Sequence, residues 1–124
     1  MAPSSDDRRA ALQRGHDAES FVARHLQAQG WSVRDANWRG VGGELDLVVE
    51  RDGSLRFVEV KGRNPGEDAL EAITAGKRRK LIRTAEAWLL ARAADCTEMA
   101  FTVAVVTFHA DGWQVELLDD AFDG

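Results

Sequence analysis

Cysteine is almost absent from these 124 residues: Cys96 stands alone. An internal disulfide is therefore impossible and a cysteine-based zinc cage is excluded. The three histidines, His16, His25 and His109, are too scattered to suggest a zinc site. No apolar run approaches the roughly 20 residues of a membrane span. The stretch Met1-Ala2-Pro3-Ser4-Ser5-Asp6-Asp7 lacks the basic-then-apolar order of a signal peptide. Residues 1–7 read as a disordered lead-in to a single domain over 8–124, and a cytoplasmic location is expected. No repeat, linker or low-complexity tract stands out. The length suits one compact domain, and an apolar fraction of 44% is enough for a single core.

A net charge of −5 argues mildly against a nucleic-acid partner, but the charge is unevenly spread. Residues 1–94 hold all 16 Lys and Arg and 14 of the 21 acids, whereas residues 95–124 hold the other seven acids and no Lys or Arg. The acidity belongs mainly to the C-terminal part, so the whole-chain average misjudges any one face.

Ala11, Ala18, Phe21, Val22 and Leu26 recur at helical spacing, predicting a helix from Arg8 to about Gln29 with Gly30 as its cap. Trp31-Ser32-Val33 reads as a short strand, and Asn37 to Gly43, with three glycines, as a loop. The clearest signal follows. Leu45, Leu47 and Val49 alternate with Asp46, Val48 and Glu50; Arg51-Asp52-Gly53-Ser54 is turn chemistry; then Leu55, Phe57, Glu59 and Lys61 alternate with Arg56, Val58 and Val60. Residues 44–50 and 55–62 are expected to form an antiparallel hairpin. Residues 67–75 look helical, as does Lys77 to Ala94, with Leu81, Ile82, Ala85, Trp88 and Leu89 inward. Phe101 to Phe108 and Trp113 to Leu118 are strands around an Ala110-Asp111-Gly112 turn. The fold class is α/β, a mixed β-sheet flanked by helices.

Alternate side chains of a strand share a face. Glu44 and Asp46 share one, Glu59 and Lys61 another, and a turn near Gly53 brings Asp46 beside Glu59 or Lys61. Close carboxylates repel unless they are protonated or hold a cation. Mg²⁺ takes one or two carboxylates plus waters and substrate phosphate, and a neighbouring lysine positions water or balances charge on a phosphate. Exposed strand residues joined by a cross-strand Asp–Lys pair account for the same pattern. The two readings stand level on pattern alone.

Asp46, twelve residues, then Glu59-Val60-Lys61 resembles the PD-(D/E)xK nuclease signature of the restriction-endonuclease-like fold. The wider string Gly15-x-x-Ala18-Glu19, Asn37-x-Arg39, Gly43-Glu44-Leu45-Asp46-Leu47-Val48 and Phe57-Val58-Glu59-Val60-Lys61-x-Arg63 resembles the YraN family of small bacterial proteins. Lys77 and the closing Asp120-Ala121-Phe122 also match, so the resemblance covers about residues 14–123. It implies a restriction-endonuclease-like core, similar to Holliday-junction resolvases and the catalytic domain of tRNA-splicing endonucleases. It implies Mg²⁺ or Mn²⁺ held by Asp46, Glu59 and the Val60 carbonyl, with Lys61 as the catalytic lysine and Glu19 as a helical acid joining the site. Leu26 lies only about 20° from Glu19 around the helix, which places Glu19 beside the apolar stripe; a solvated helix-edge glutamate is the alternative. One departure is plain. The family's penultimate strand carries Arg-Phe-Asp, and here Ala100-Phe101-Thr102 puts Thr102 in place of the acid.

Lys77, Arg78, Arg79, Lys80 and Arg83 stand together without an acid between them. Lys77 aligns with Leu81, Thr84 and Trp88 and leans toward the site; Arg78, Arg79 and Lys80 are better placed for phosphates, or simply form a solvated helix start. Arg39 and Arg63 flank the motif strands as phosphate clamps or as partners neutralising Glu44. Glu44 is a second metal ligand or a loop partner, and Asn37 reads as a turn residue. The tryptophans are core candidates except Trp38, which in a glycine-rich loop is a candidate to stack on a base. The expected partner is nucleic acid, DNA before RNA, and no membrane. Related nucleases often act as dimers, which raises a homodimer, although no coiled-coil heptad is present. Two rivals to a nuclease are a nucleic-acid-binding module with little catalysis and a protein-interaction adaptor using the acidic C-terminal part.

Overall fold

The computed structural model describes residues 5–67, 75–92 and 94–119. Helix α1 spans Ser5–Ala28, and three strands follow: β1 Ser32–Gly40, β2 Gly43–Arg51 and β3 Ser54–Arg63. Helix α2 spans Ala75–Arg92, and the chain continues into β4 Glu98–His109 and β5 Gly112–Asp119. The strands form one sheet in the order β1-β2-β3-β4-β5. Only β3 and β4 run parallel. A parallel pair needs a crossover, and α2 lies within it. This mixed sheet with helices is the α/β arrangement of a restriction-endonuclease-like core. Among the described residues no helix is long and apolar enough to cross a membrane.

The sheet buries both faces. Ala18, Val22 and Leu26 of α1 pack on Leu47, Val58 and Ala104; Leu81, Ala85 and Trp88 of α2 pack on Leu45, Phe57 and Val103. Helix α1 stops where Gly30 takes a φ of +94°. Gly30 N–H donates to the Gln27 carbonyl and Trp31 N–H to the Leu26 carbonyl, the paired bonds of a Schellman cap. Trp31 and Leu26 then meet in the same core. The β2–β3 turn matches its Asp-Gly signature. Asp52 and Gly53 have φ of +50° and +81°, and Arg51 pairs with Ser54, as a two-residue primed turn requires.

Several expectations need correction. Asn37 to Gly40 is strand, not loop: β1 continues to Gly40, pairing Trp38 with Leu45 and Arg39 with Glu44. It is an edge strand, half-buried at most, so it carries no apolar alternation to betray it. Trp38 packs against the α2-side core with its ring across Gly40, so it is a core residue and not a loop platform for a base. Ile82 is 38% exposed; the buried arc of α2 is Leu81, Thr84, Ala85 and Trp88. Thr84 takes an inward place because its hydroxyl donates to the Lys80 carbonyl at 2.7 Å. Helix α1 already includes Ser5, Asp6 and Asp7; the rest of the supposed lead-in, most of the helix expected at 67–75, and Asp120-Ala121-Phe122 lie outside the described residues.

Trp88 ties α2 to the edge strand. It is fully buried, meets Phe57 edge-on at 5.8 Å, and donates from Nε1 to Asp35 Oδ2 at 2.7 Å. Arg92 also donates to Asp35 and is the main reason that carboxylate sits below its ordinary range. Trp88→Phe removes one hydrogen bond and part of the ring, and is expected to cost about 2 kcal/mol. Urea unfolding of the two proteins measures it.

Candidate active site

The site forms where β2 parts from β3. Their ladder runs from Arg51↔Ser54 to Leu47↔Val58. The next hydrogen-bonded pair of a regular ladder would join Val60 N–H to the Leu45 carbonyl. Instead Asp46 Oδ2 accepts from Val60 N at 2.9 Å. Leu45 and Leu47, two apart, belong to the cores on opposite sides of the sheet, so β2 twists at Asp46 and turns its carboxylate into the gap between the strands. The N–H and C=O of one strand residue point toward the same neighbour, so the Val60 carbonyl also faces the β2 side.

Glu59 shares the α2 side with Phe57 and is 11% exposed. Two ammonium groups meet one of its oxygens: Lys61 Nζ at 3.8 Å and Lys77 Nζ at 3.6 Å from Oε1. The ion pair of Lys61 is therefore with Glu59, along its own strand, and not the cross-strand pair with Asp46 that the pattern also allowed. Burial pushes the Lys61 ammonium down from its ordinary value, and its neighbour Lys77 adds to that effect. Asp46 is pushed the other way. Burial, then the charge of Glu59, raises its carboxyl to about 7, and the two acids share a hydrogen bond. Carboxylates held this close either keep a proton or neutralise a cation.

Glu19 reaches the same place from α1. It lines one cavity with Asp46 and Glu59, hydrogen-bonds to Asn37, and is raised above its ordinary value mainly by burial. The solvated-edge reading of Glu19 is thus set aside. Among the described residues no three His, Cys, Asp or Glu side chains converge into a cage of their own. Asp46 and Glu59 remain a pair, which is the number of carboxylates Mg²⁺ commonly takes from a protein before waters and substrate oxygens complete its shell. The donor chemistry fits that ion, with the Val60 carbonyl on the correct side of the strand.

Two hollows open on the carboxylate pair. A cavity of about 450 Å³ lies on the α1 side, lined by Arg14, Glu19, Gly62, Arg63, Asn64 and Phe108 besides the two acids. One of about 240 Å³ lies on the α2 side, lined by Gly43, Glu44, Lys77, Lys80 and Thr84. The expected basic residues divide accordingly. Arg63 stands in the first cavity, held by bonds from Nε to Thr107 Oγ1 and from Nη1 to the Glu67 carbonyl, both 2.9 Å. Lys77 and Lys80 stand in the second. Arg39 pairs with Glu44 at 3.6 Å, one of the two roles left open for Glu44, which also lines the second hollow. Arg79 is exposed and Arg78 half-buried, and neither lines these hollows.

Sequence reasoning missed Arg14, Asn37 and Phe108. Asn37 carried at most the readiness of asparagine for a left-handed backbone, and it does take a φ of +52°; Arg14 and Phe108 come to line one cavity with the acids only through the fold. Thr102, the departure from the family pattern, lines neither hollow. It is buried in β4 opposite Asp119 and donates to Asp119 Oδ1 at 2.8 Å, where Arg56 also donates at 3.0 Å.

Comparison with known proteins agrees over most of the length. The description "Uncharacterised protein family UPF0102" matches residues 18–107. A UPF0102 protein of Methylobacterium radiotolerans is 41% identical over 111 residues, covering 90% of this chain and 80% of the relative. One from a Synechococcus strain is 40% identical over 111 residues, covering 85% and 83%. One from Myxococcus xanthus is 35% identical over 111 residues, covering 88% of each. The chain belongs to the UPF0102 family, the YraN family whose motifs its sequence carries.

Proposed function

We propose that this protein is a metal-dependent nuclease that hydrolyses phosphodiester bonds of DNA, branched or repair-related DNA in particular. The observation that carries the reading is the Asp46–Glu59 pair, two carboxyl groups pressed together at a splayed strand end with two lysines meeting one oxygen of Glu59. Asp46, Glu59 and the Val60 carbonyl would hold Mg²⁺ or Mn²⁺. The bound ion would supply Lewis-acid polarisation of the phosphate and a more acidic water. The chain's own groups do the rest. Lys61 sets a positive charge beside the carboxylates where a phosphate oxygen gains charge. Glu19 lines the same cavity and can orient a water, with Asn37 fixing its carboxyl. Arg14, Arg63 and Lys80 hold the flanking phosphates on the two sides, a contact set that makes binding salt-sensitive.

The test is cleavage of labelled linear, flapped and four-way DNA with Mn²⁺, Mg²⁺ or EDTA. Cleavage is expected with either ion and none in EDTA. DNA binding without cleavage on every substrate would favour the binding-module reading, and no binding at low salt would favour an adaptor.

A further inference from the structure

The α1-side cavity has more structure than a phosphate channel requires. Its volume of about 450 Å³ falls in the range of about 300–1,000 Å³ that holds one small organic molecule, the size class of a mononucleotide. Its walls come from opposed elements: Arg14, Gly15 and Ala18 from α1, Gly62 and Arg63 from β3, Phe108 from β4. The acids lie at one end. Among otherwise polar walls, Phe108 presents an aromatic ring. A Cβ at Gly62 would lie 2.6 Å from Phe108 Cζ, so the missing side chain is what lets the Phe108 ring lie across β3. That ring is held from behind, at 4.7 Å from Trp113 and edge-on to it, while Trp113 in turn meets Phe21 of α1 at 5.9 Å. Arg63 is fixed at two of its nitrogens, which leaves its second terminal nitrogen to meet an anion.

A braced aromatic face, a small open strand residue and guanidinium groups beside a phosphodiester-cleaving site match how single-stranded nucleic acid is held, by stacking a base and pairing its phosphate. A base within a duplex is already stacked and paired, and must leave the helix to enter such a pocket at a cost of a few kcal/mol. We infer that this cavity receives one unpaired nucleotide adjoining the scissile phosphate, its base on Phe108 and its phosphate between Arg14 and Arg63, so that the preferred DNA has a single-stranded segment at the cut. The inference rests on the nuclease reading for the identity of the polymer.

The test is equilibrium binding of fluorescein-labelled oligothymidine and of a blunt duplex of equal length to the full chain, in Ca²⁺ at fixed salt, with cleavage in Mn²⁺ scored separately. The wild type is expected to bind the single strand at least about tenfold more tightly. Phe108→Ala is expected to weaken oligothymidine binding about 5- to 150-fold, as loss of one base–aromatic stack does, and so to bring the ratio toward one. Phe108→Leu, which keeps an apolar side chain without the ring, serves if the alanine variant does not fold and is expected to act in the same direction. Phe108→Tyr is expected to keep the preference. Equal affinity for the two DNAs, or a Phe108 effect that is the same on both, overturns the inference. Cleavage accompanied by a ratio near one overturns the pocket assignment alone. Single-strand preference without cleavage of any DNA overturns the nuclease reading and leaves the pocket standing.

Discussion

Lys61→Ala is expected to lower metal-dependent cleavage by about 10²–10³-fold while DNA binding changes by no more than a few-fold. The side chain is 19% exposed and points at Glu59, not outward at the flanks where phosphates are proposed to sit. Its loss removes charge stabilisation near the reacting phosphate and leaves Arg14, Arg63 and Lys80 to bind the backbone. The effect should therefore fall on kcat and spare KM. Lys61→Arg is not expected to restore activity, because a planar guanidinium cannot occupy the space of a compact ammonium against Glu59. Lys77 provides the internal control. It lies 3.6 Å from the same Glu59 oxygen, so it competes for the role on distance alone, but it comes from α2 and its side chain is 38% exposed. Single-turnover rates for Lys61→Ala and Lys77→Ala separate the two. A wild-type rate for Lys61→Ala beside a crippled Lys77→Ala would transfer the catalytic role to the helix.

The legibility of this fold follows burial. The β2–β3 hairpin is plain in the sequence because both strands are central, with apolar residues at regular intervals, and because Asp52-Gly53 supplies the two left-handed residues of its turn. The edge strand β1 hides because Ser32 to Gly40 has solvent on most of its side chains and glycines at its end. Ile82 misled because Leu81 and Ile82 are both apolar, and the buried arc runs from Leu81 through Thr84, a polar residue made tolerable there by its bond to the Lys80 carbonyl. The site divides the same way. Strand alternation places Asp46, Glu59 and Lys61 near one another but leaves a site and a solvated strand pair level; the family motif singles them out, and Glu19 with them, while the phase of α1 only makes its place beside the apolar stripe possible. The twist that turns Asp46 into the strand gap has no signature in composition, and the closeness of Arg14 and Phe108 to it depends on two long-range packings.

Asp46→Asn is expected to produce opposite effects on activity and stability. The carboxyl normally titrates near 3.8, but in the fold burial and the charge of Glu59 push it up to about 7. Between those values the folded chain binds a proton that the unfolded chain releases. The metal-free protein therefore loses stability as the pH rises from about 4 to about 7 and levels off above that. The full shift corresponds to an upper bound on the order of 4 kcal/mol. Asparagine keeps an oxygen to accept from Val60 N–H and gains an N–H₂ to donate to Glu59, without the charge. In EDTA at pH 8 the variant is expected to be more stable by roughly 2–4 kcal/mol, with a flatter pH profile, as urea unfolding between pH 4 and 8 will measure. The same change removes a proposed metal-binding carboxylate, so cleavage should fall at least about 10²–10³-fold. Millimolar Mg²⁺ or Mn²⁺ should raise the unfolding midpoint of the wild type at pH 8 and leave that of the variant nearly unmoved, since an ion bound only by the native state stabilises it. A wild type equally stable at pH 5 and pH 8 in EDTA, with no gain in the variant, would show that the two carboxyl groups are not forced together. A gain in the variant without a metal-dependent midpoint in the wild type would keep the electrostatic strain and remove the cation from its explanation.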